Sequence, residues 1–156
     1  MVKTRTSPAG IDQRAAGFTL VELLIVLAIL GLTAALAVPM FARAMPEIQA
    51  KAAARDVAAM LRSARSLAIA DDREVAVAVD VDRRAVDLAG VRTETIRPGI
   101  GLTLYTAEEE LIGRGAGRIR FYPDGTSTGG RVRLSTATRT YSVIVDWISG
   151  GVKIDD

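Results

Sequence analysis

The sequence predicts an α+β fold: a long N-terminal helix, apolar enough over its first half for a membrane, packed on an antiparallel β-sheet or small β-sandwich. Three observations predict it. Residues Phe18 to Val38 form an apolar run of 21 residues broken only by the charge of Glu22. Apolar residues then recur at helical spacing as far as Ala68, and after Asp71-Asp72 the period changes to two. A helix and a sheet with one apolar face each bury those faces most simply against one another.

The totals narrow the function. A chain of 156 residues suits one domain plus a targeting segment. It contains no cysteine, which removes disulfides and thiolate metal sites, and no histidine, which removes the usual general base near neutral pH and the commonest metal ligand. The formal charge of +2 is concentrated at the start. Three bases (Lys3, Arg5, Arg14) and one acid (Asp12) precede Phe18, so bases and acids number 17 each from Phe18 onward. The body is therefore not basic overall, as a general nucleic-acid binder would be.

Taken in order, the first element is the apolar run. A helix rising about 1.5 Å per residue crosses a ~30 Å hydrocarbon core in roughly 20 residues, so the run is long enough to span. The basic segment before it is expected to stay cytoplasmic, which sends the rest of the chain across the membrane. A secretory signal peptide cleaved after the small-x-small triplet Ala35-Leu36-Ala37 is the competing reading. A carboxylate near the start of the run fits that alternative poorly. A charge inside a span costs about 2.5–3.5 kcal/mol on insertion scales and marks function by default. Glu22 lies one helical turn after Phe18, where a helix N-terminus favours an anion. The alternative for Glu22 is a shallow position from which it reaches the headgroups.

The second half of the helix is read from Ala53, Val57, Met60, Leu61, Ala64, Leu67 and Ala68, with Lys51, Arg55, Arg62 and Ser66 on a solvated face. Pro39 and Pro46 each remove a backbone donor and are expected to kink or break it. Next, Val75, Val77, Val79 and Val81 alternate with Ala76, Ala78 and Asp80, and Asp82-Arg83-Arg84 connects to a strand at Ala85–Leu88. Further strands are predicted at Gly101–Thr106, Arg118–Tyr122, Arg131–Ser135, Tyr141–Ile148 and Gly151–Ile154. They are separated by turn signals at Pro98-Gly99, Gly113–Gly117 and Pro123-Asp124-Gly125.

Little here resembles catalytic machinery. Serines and threonines are plentiful, but no histidine exists to activate one. Asp80, Asp82 and Asp87 do not form a full calcium-ligand loop and read as hairpin solubility. Glu108-Glu109-Glu110 reads as a solvated loop or helix start, and Gly113–Gly117 is not followed by the Lys-Ser/Thr of a phosphate loop.

Gly17-Phe18-Thr19-Leu20-Val21-Glu22 resembles the type III signal of type IV pilins and type II secretion pseudopilins. Phe121-Tyr122-Pro123-Asp124-Gly125-Thr126-Ser127-Thr128-Gly129-Gly130 and the closing Val145-Asp146-Trp147-Ile148-Ser149-Gly150-Gly151 are similar to the GspH/FimT family within that pilin-like superfamily. The resemblance implies cleavage between Gly17 and Phe18 by a prepilin peptidase and N-methylation of Phe18. It makes Glu22 the assembly residue, meeting the terminal amine of a neighbouring subunit. Its domains would be a leader (1–17), a transmembrane or filament-core helix (18–40), an amphipathic continuation (41–72) and a periplasmic β-rich domain (73–156). The implied role is that of a minor pseudopilin at the tip of a type II secretion pseudopilus, anchored in the inner membrane. The alternative is a FimT-like minor type IV pilin acting in pilus assembly or DNA uptake. Expected partners are other minor and major pseudopilins or pilins, the prepilin peptidase and the secretion platform. No cofactor, metal, small-molecule substrate or catalysis is expected.

One constellation favours the alternative. Pairing of Arg118–Tyr122 with Arg131–Ser135 across the Pro-Asp-Gly turn would point Ile119, Phe121, Val132 and Leu134 inward. Arg118, Arg120, Arg131, Arg133 and Tyr122 would then share an outer face with no acid among them, suited to a phosphate backbone or another anionic partner. Charged strands that discourage edge pairing are the competing explanation.

Overall fold

The computed structural model describes the backbone of residues 18–155 and the side chains of residues 18–35 and 45–155. The chain divides into two units, one ending at Met40 and one running from Phe41 to Asp156. Helix α1 (Leu20–Ala70) is continuous through Pro39 and Pro46. The expected break is absent, because proline's fixed φ is itself helical and the cost is one lost hydrogen bond with local strain.

In the second unit nine antiparallel strands form two sheets. The first sheet holds β1 (Val75–Asp80), β2 (Ala85–Leu88), β3 (Arg92–Thr95), β5 (Leu111–Ile112) and β6 (Ala116–Phe121), in the order β3-β2-β1-β6-β5. The second holds β4 (Gly101–Tyr105), β7 (Gly130–Ser135), β8 (Thr140–Val145) and β9 (Val152–Asp155), in the order β4-β7-β8-β9. The period-two reading holds in β1, where Val75, Val77 and Val79 are buried and Ala76, Ala78 and Asp80 face outward. Strands β3 and β5 were not legible: β3 is a polar edge without alternation, and β5 is only two residues long.

One apolar core joins the helix to both sheets. The helix contributes mostly small residues, with Ala50, Ala54, Ala58, Ala64 and Ala68 fully buried beside Val57 and Leu61. Alanine lets the helix approach closely, while the bulk comes from Val77, Val79, Ile119 and Phe121 of one sheet and Val132, Leu134 and Val143 of the other. Burying a side chain the size of Phe121 is worth about 1.5–3 kcal/mol. Polar contacts at the rim locate the helix. Arg62 Nη2 donates to the Val152 carbonyl at 3.0 Å, Arg65 Nε to the Gly125 carbonyl at 3.0 Å, and Asp56 pairs with Arg92 at 3.4 Å.

The expected hairpin between Arg118–Tyr122 and Arg131–Ser135 does not form. β6 pairs along its whole length with β1, Val75 opposite Phe121 and Asp80 opposite Ala116, whereas β7 lies in the other sheet between β4 and β8. The segment between β6 and β7 crosses from one sheet to the other. On the way it satisfies the free edge of β6: Thr128 N–H donates to the Arg120 carbonyl at 3.0 Å, and Arg120 N–H donates to Thr128 Oγ1 at 3.0 Å. The inward set Ile119, Phe121, Val132 and Leu134 is as expected, each fully buried. Side-chain alternation survives a change of partner, because it depends only on the strand itself.

Candidate functional site

The N-terminal site is built on the start of α1. Gly17 and the residues before it, where the leader is expected, lie outside the described residues. Phe18 is exposed, and Thr19 stands just before the helix. Thr19 Oγ1 accepts the Glu22 N–H at 3.1 Å, and its carbonyl accepts the Leu23 N–H at 3.1 Å. Thr19-Leu20-Val21-Glu22 is thus a Thr-x-x-Glu capping pattern whose forward half is formed, a signal present in the sequence and missed there. It places Glu22 in the first turn of the helix, where unpaired N–H groups and the macrodipole favour a carboxylate.

Around Glu22, from Leu20 to Leu32, the helix is apolar on every side. Leu20, Val21, Leu23, Leu24, Ile25, Val26, Leu27, Ile29, Leu30 and Leu32 are all between 43% and 74% exposed. Just after this stretch Thr33 Oγ1 turns back onto the helix, donating to the carbonyls of Ile29 and Leu30 at 3.0 and 2.9 Å. Among the described residues no helix is long and apolar enough to cross a membrane, the described side chains of this unit ending at Ala35. A helix with apolar groups all around it needs a covering of lipid or other helices.

The arginine face expected from the sequence is divided. Arg118 and Arg120 lie on the first sheet, Arg131 and Arg133 on the second, and Tyr122 falls in the loop after β6. Arg120 is not free of acids. Its Nε donates to Glu110 Oε1 at 2.7 Å and its Nη1 to Glu74 Oε2 at 2.7 Å, and these bonds, Glu110 foremost, raise its pKa above the ordinary guanidinium value. Glu108-Glu109-Glu110, expected as a solvated loop or helix start, forms a 3₁₀ turn, but Glu110 at its end is buried rather than solvated. On the second sheet, Arg133 lies over the Tyr105 ring at 5.1 Å and donates Nη1 to its hydroxyl at 3.3 Å, while its Nε is buried without a partner. Among the described residues no three potential ligands converge to hold a metal. Asp80 Oδ1 instead accepts the Arg83 N–H at 2.8 Å, and Asp87 Oδ1 accepts the Thr93 hydroxyl at 2.6 Å.

Residues 12–38 match the family described as prokaryotic N-terminal methylation motif, and residues 53–150 match the one described as type II transport protein GspH. The chain belongs to the GspH family. A relative in Xanthomonas campestris pv. campestris, type II secretion system protein H, is 28% identical over 149 residues, which cover 96% of this chain and 88% of that one. The fold is shared with the minor pseudopilin EpsH from the type 2 secretion system of Vibrio cholerae, at 16% identity and a TM-score of 0.53 over 68% of this chain and 95% of that one. It is also shared with the type IV minor pilin FimU of Pseudomonas aeruginosa, at 14% identity and a TM-score of 0.54 over 70% and 90%.

In this GspH-family chain the two C-terminal motifs form interlocking turns. Gly125 (φ 84°) closes the Tyr122–Gly125 turn, with its N–H donated to the Tyr122 carbonyl at 2.9 Å. Gly150 (φ 60°) packs so closely that a Cβ there would run into the Gly125 carbonyl and lie 2.9 Å from Arg65 Nε. Each turn is held by a carboxylate. Asp124 accepts the hydroxyl and N–H of Thr126 at 2.7 and 2.9 Å, and Asp146 accepts the N–H and hydroxyl of Ser149, both at 2.8 Å. The same bonds depress both pKa values below the usual carboxylate range, chiefly through the Thr126 hydroxyl for Asp124 and the Ser149 N–H for Asp146.

Proposed function

We propose that this chain is a minor pseudopilin of a type II secretion system, a structural subunit near the tip of the pseudopilus. The observation that carries this reading is the apolar surface on all sides of α1 from Leu20 to Leu32, with Glu22 in its first turn, in a chain of the GspH family. Each large aliphatic side chain of that surface gains about 1.5–3 kcal/mol when covered. A bilayer covers it before assembly and a bundle of like helices covers it afterwards. Prepilin peptidase cuts between Gly17 and Phe18 and the new amine of Phe18 is methylated. The helix stays in the inner membrane with the β-rich unit in the periplasm. Glu22 then meets the amine of a neighbouring pseudopilin within the bundle, where the low dielectric makes an unpaired carboxylate costly and a paired one a marker of register. A minor type IV pilin shares this fold, as the likeness to FimU illustrates. The match to GspH and the secretion-protein relative support the secretion reading over it.

Two measurements test the proposal. Mass spectrometry of the membrane-extracted protein should find methylated Phe18 at the N-terminus; an N-terminus at Val38 refutes retention of the helix. The Glu22→Ala variant should insert and be processed as usual yet fail to co-purify with sheared pseudopili. Normal incorporation of that variant refutes the role of Glu22.

A further inference from the structure

Strand register gathers a mixed basic and aromatic row on the outer face of the second sheet. Tyr105 of β4 stands opposite Arg131 of β7, Arg131 opposite Ile144 of β8, and Ile144 opposite Lys153 of β9. In the next row Arg133 stands opposite Thr103 and Ser142, with its Cζ 5.1 Å from the centre of the Tyr105 ring. Two shallow hollows meet at Ile144. One, of about 410 Å³, is lined by Tyr105 and Arg131; the other, of about 500 Å³, by Trp147 and Lys153. Each hollow thus offers one aromatic ring and one cation. Both rings are open to solvent, Tyr105 at 50% and Trp147 at 65% exposure.

Among the described residues Arg131, Arg133 and Lys153 form no salt bridge, as is true of Arg118 on the first sheet, whereas Arg83, Arg92 and Arg120 are paired. Asp146 borders the second hollow, where it accepts from Ser149 and is also stabilised as the carboxylate by the charge of Lys153, so an incoming acid competes with it for that cation. The backbone end of Trp147 packs against Gly129 (φ 72°), where a Cβ would approach the Trp147 Cβ to 3.0 Å. A solvent-facing tryptophan beside cations without salt-bridge partners has the composition of a binding hot spot.

We propose that this face docks a short acidic segment of another polypeptide, its carboxylates reaching Arg131 and Lys153 and its apolar side chains seated on Tyr105, Ile144 and Trp147. Neighbouring strands lie about 4.8 Å apart, so the two cations two strands apart stand roughly 10 Å from each other with an aliphatic residue between them. That order calls for acids flanking an apolar residue. A nucleic acid fits less well. The chain is neutral from Phe18 onward, Asp155 closes the neighbouring row beside Ser142, and exposed Glu108 and Glu109 follow β4 within four residues. A long polyanion would meet those acids, whereas a segment of a few residues avoids them. The proposal does not depend on entry into a filament.

The test uses the full-length protein in detergent and its single tryptophan, Trp147, as the reporter. The probe is a ten-residue peptide alternating aspartate and valine; controls are the corresponding lysine–valine peptide and a 20-nucleotide single-stranded DNA. The acidic peptide should shift Trp147 emission saturably, and the shift should weaken with salt. The Arg131→Glu/Lys153→Glu double variant should bind at least tenfold more weakly with an unchanged urea midpoint, while Arg83→Glu stays within twofold of the parent. No saturable shift up to 1 mM peptide, equal binding by the double variant, or an equal response to the lysine peptide overturns the proposal. DNA binding tighter than peptide binding, lost in the same double variant, overturns the assignment of the occupant to a polypeptide.

Discussion

Replacing Arg120 with methionine should destabilise the β-rich unit well beyond the loss of a surface charge. Arg120 holds two carboxylates of different worth. Glu74 is 54% exposed, and an exposed pair contributes about 0.2–1 kcal/mol. Glu110 is 7% exposed and receives Nε at 2.7 Å and Nη2 at 3.4 Å. Stripping the partner from a buried ion costs about 3–5 kcal/mol. Since Arg120 itself is 28% exposed, water reaches the vacated position, and we expect a loss of roughly 2–3 kcal/mol. For a unit of this size that is a fall in Tm of about 6–15 °C. Urea denaturation of a fragment beginning at Met45, which retains every buried core side chain from Ala50 onward, measures it directly. In a Glu110→Gln background the same Arg120→Met change should cost about 1 kcal/mol or less, since no buried charge is then abandoned. A loss below about 1 kcal/mol in the parent, or equal losses in the two backgrounds, refutes the claim that Arg120 is needed to hold Glu110 inside.

Other outcomes follow from the turns. Gly150→Ala combines a left-handed φ with a collision against the Gly125 carbonyl and should lower stability by about 2–4 kcal/mol; a urea midpoint within error of the parent counts against the interlocking of the two turns. Asp124 and Asp146 have lower pKa values folded than unfolded. Their stabilisation is therefore complete above the unfolded value near ~4 and is lost as pH falls through the lower folded values. The Asp124→Asn/Asp146→Asn double variant should accordingly show a flatter dependence of Tm on pH below about 4; an unaltered profile excludes these two groups as its source. Phe121→Ala, at a fully buried position, should cost about 3–5 kcal/mol in the same fragment, and a loss under 1 kcal/mol would mean the core had refilled the space.

Much of this architecture could be read along the chain, because the signals are local. The buried set Ala53, Val57, Met60, Leu61, Ala64 and Ala68 follows from 3.6 residues per turn, and the valines of β1 from a period of two. The apolar run with Glu22 near its head is a property of consecutive residues, as is the Thr19 cap that went unread. Pairing was another matter. The turn at Pro123-Asp124-Gly125 suggested a hairpin, yet β6 took β1 as its neighbour, with Asp80 opposite Ala116 and Val75 opposite Phe121. A strand's own pattern says which side chains point inward but not which backbone will meet its edge. The same non-local choice brought Glu110 and Glu74 to Arg120, dividing the arginines that the sequence had placed together. It also aligned Tyr105, Arg131, Ile144 and Lys153 from four separate strands. Helix, alternation and the apolar run were set by spacing along the chain; the charge map of the two outer faces depended on competition among distant strands for the same hydrogen bonds, which no local pattern encodes.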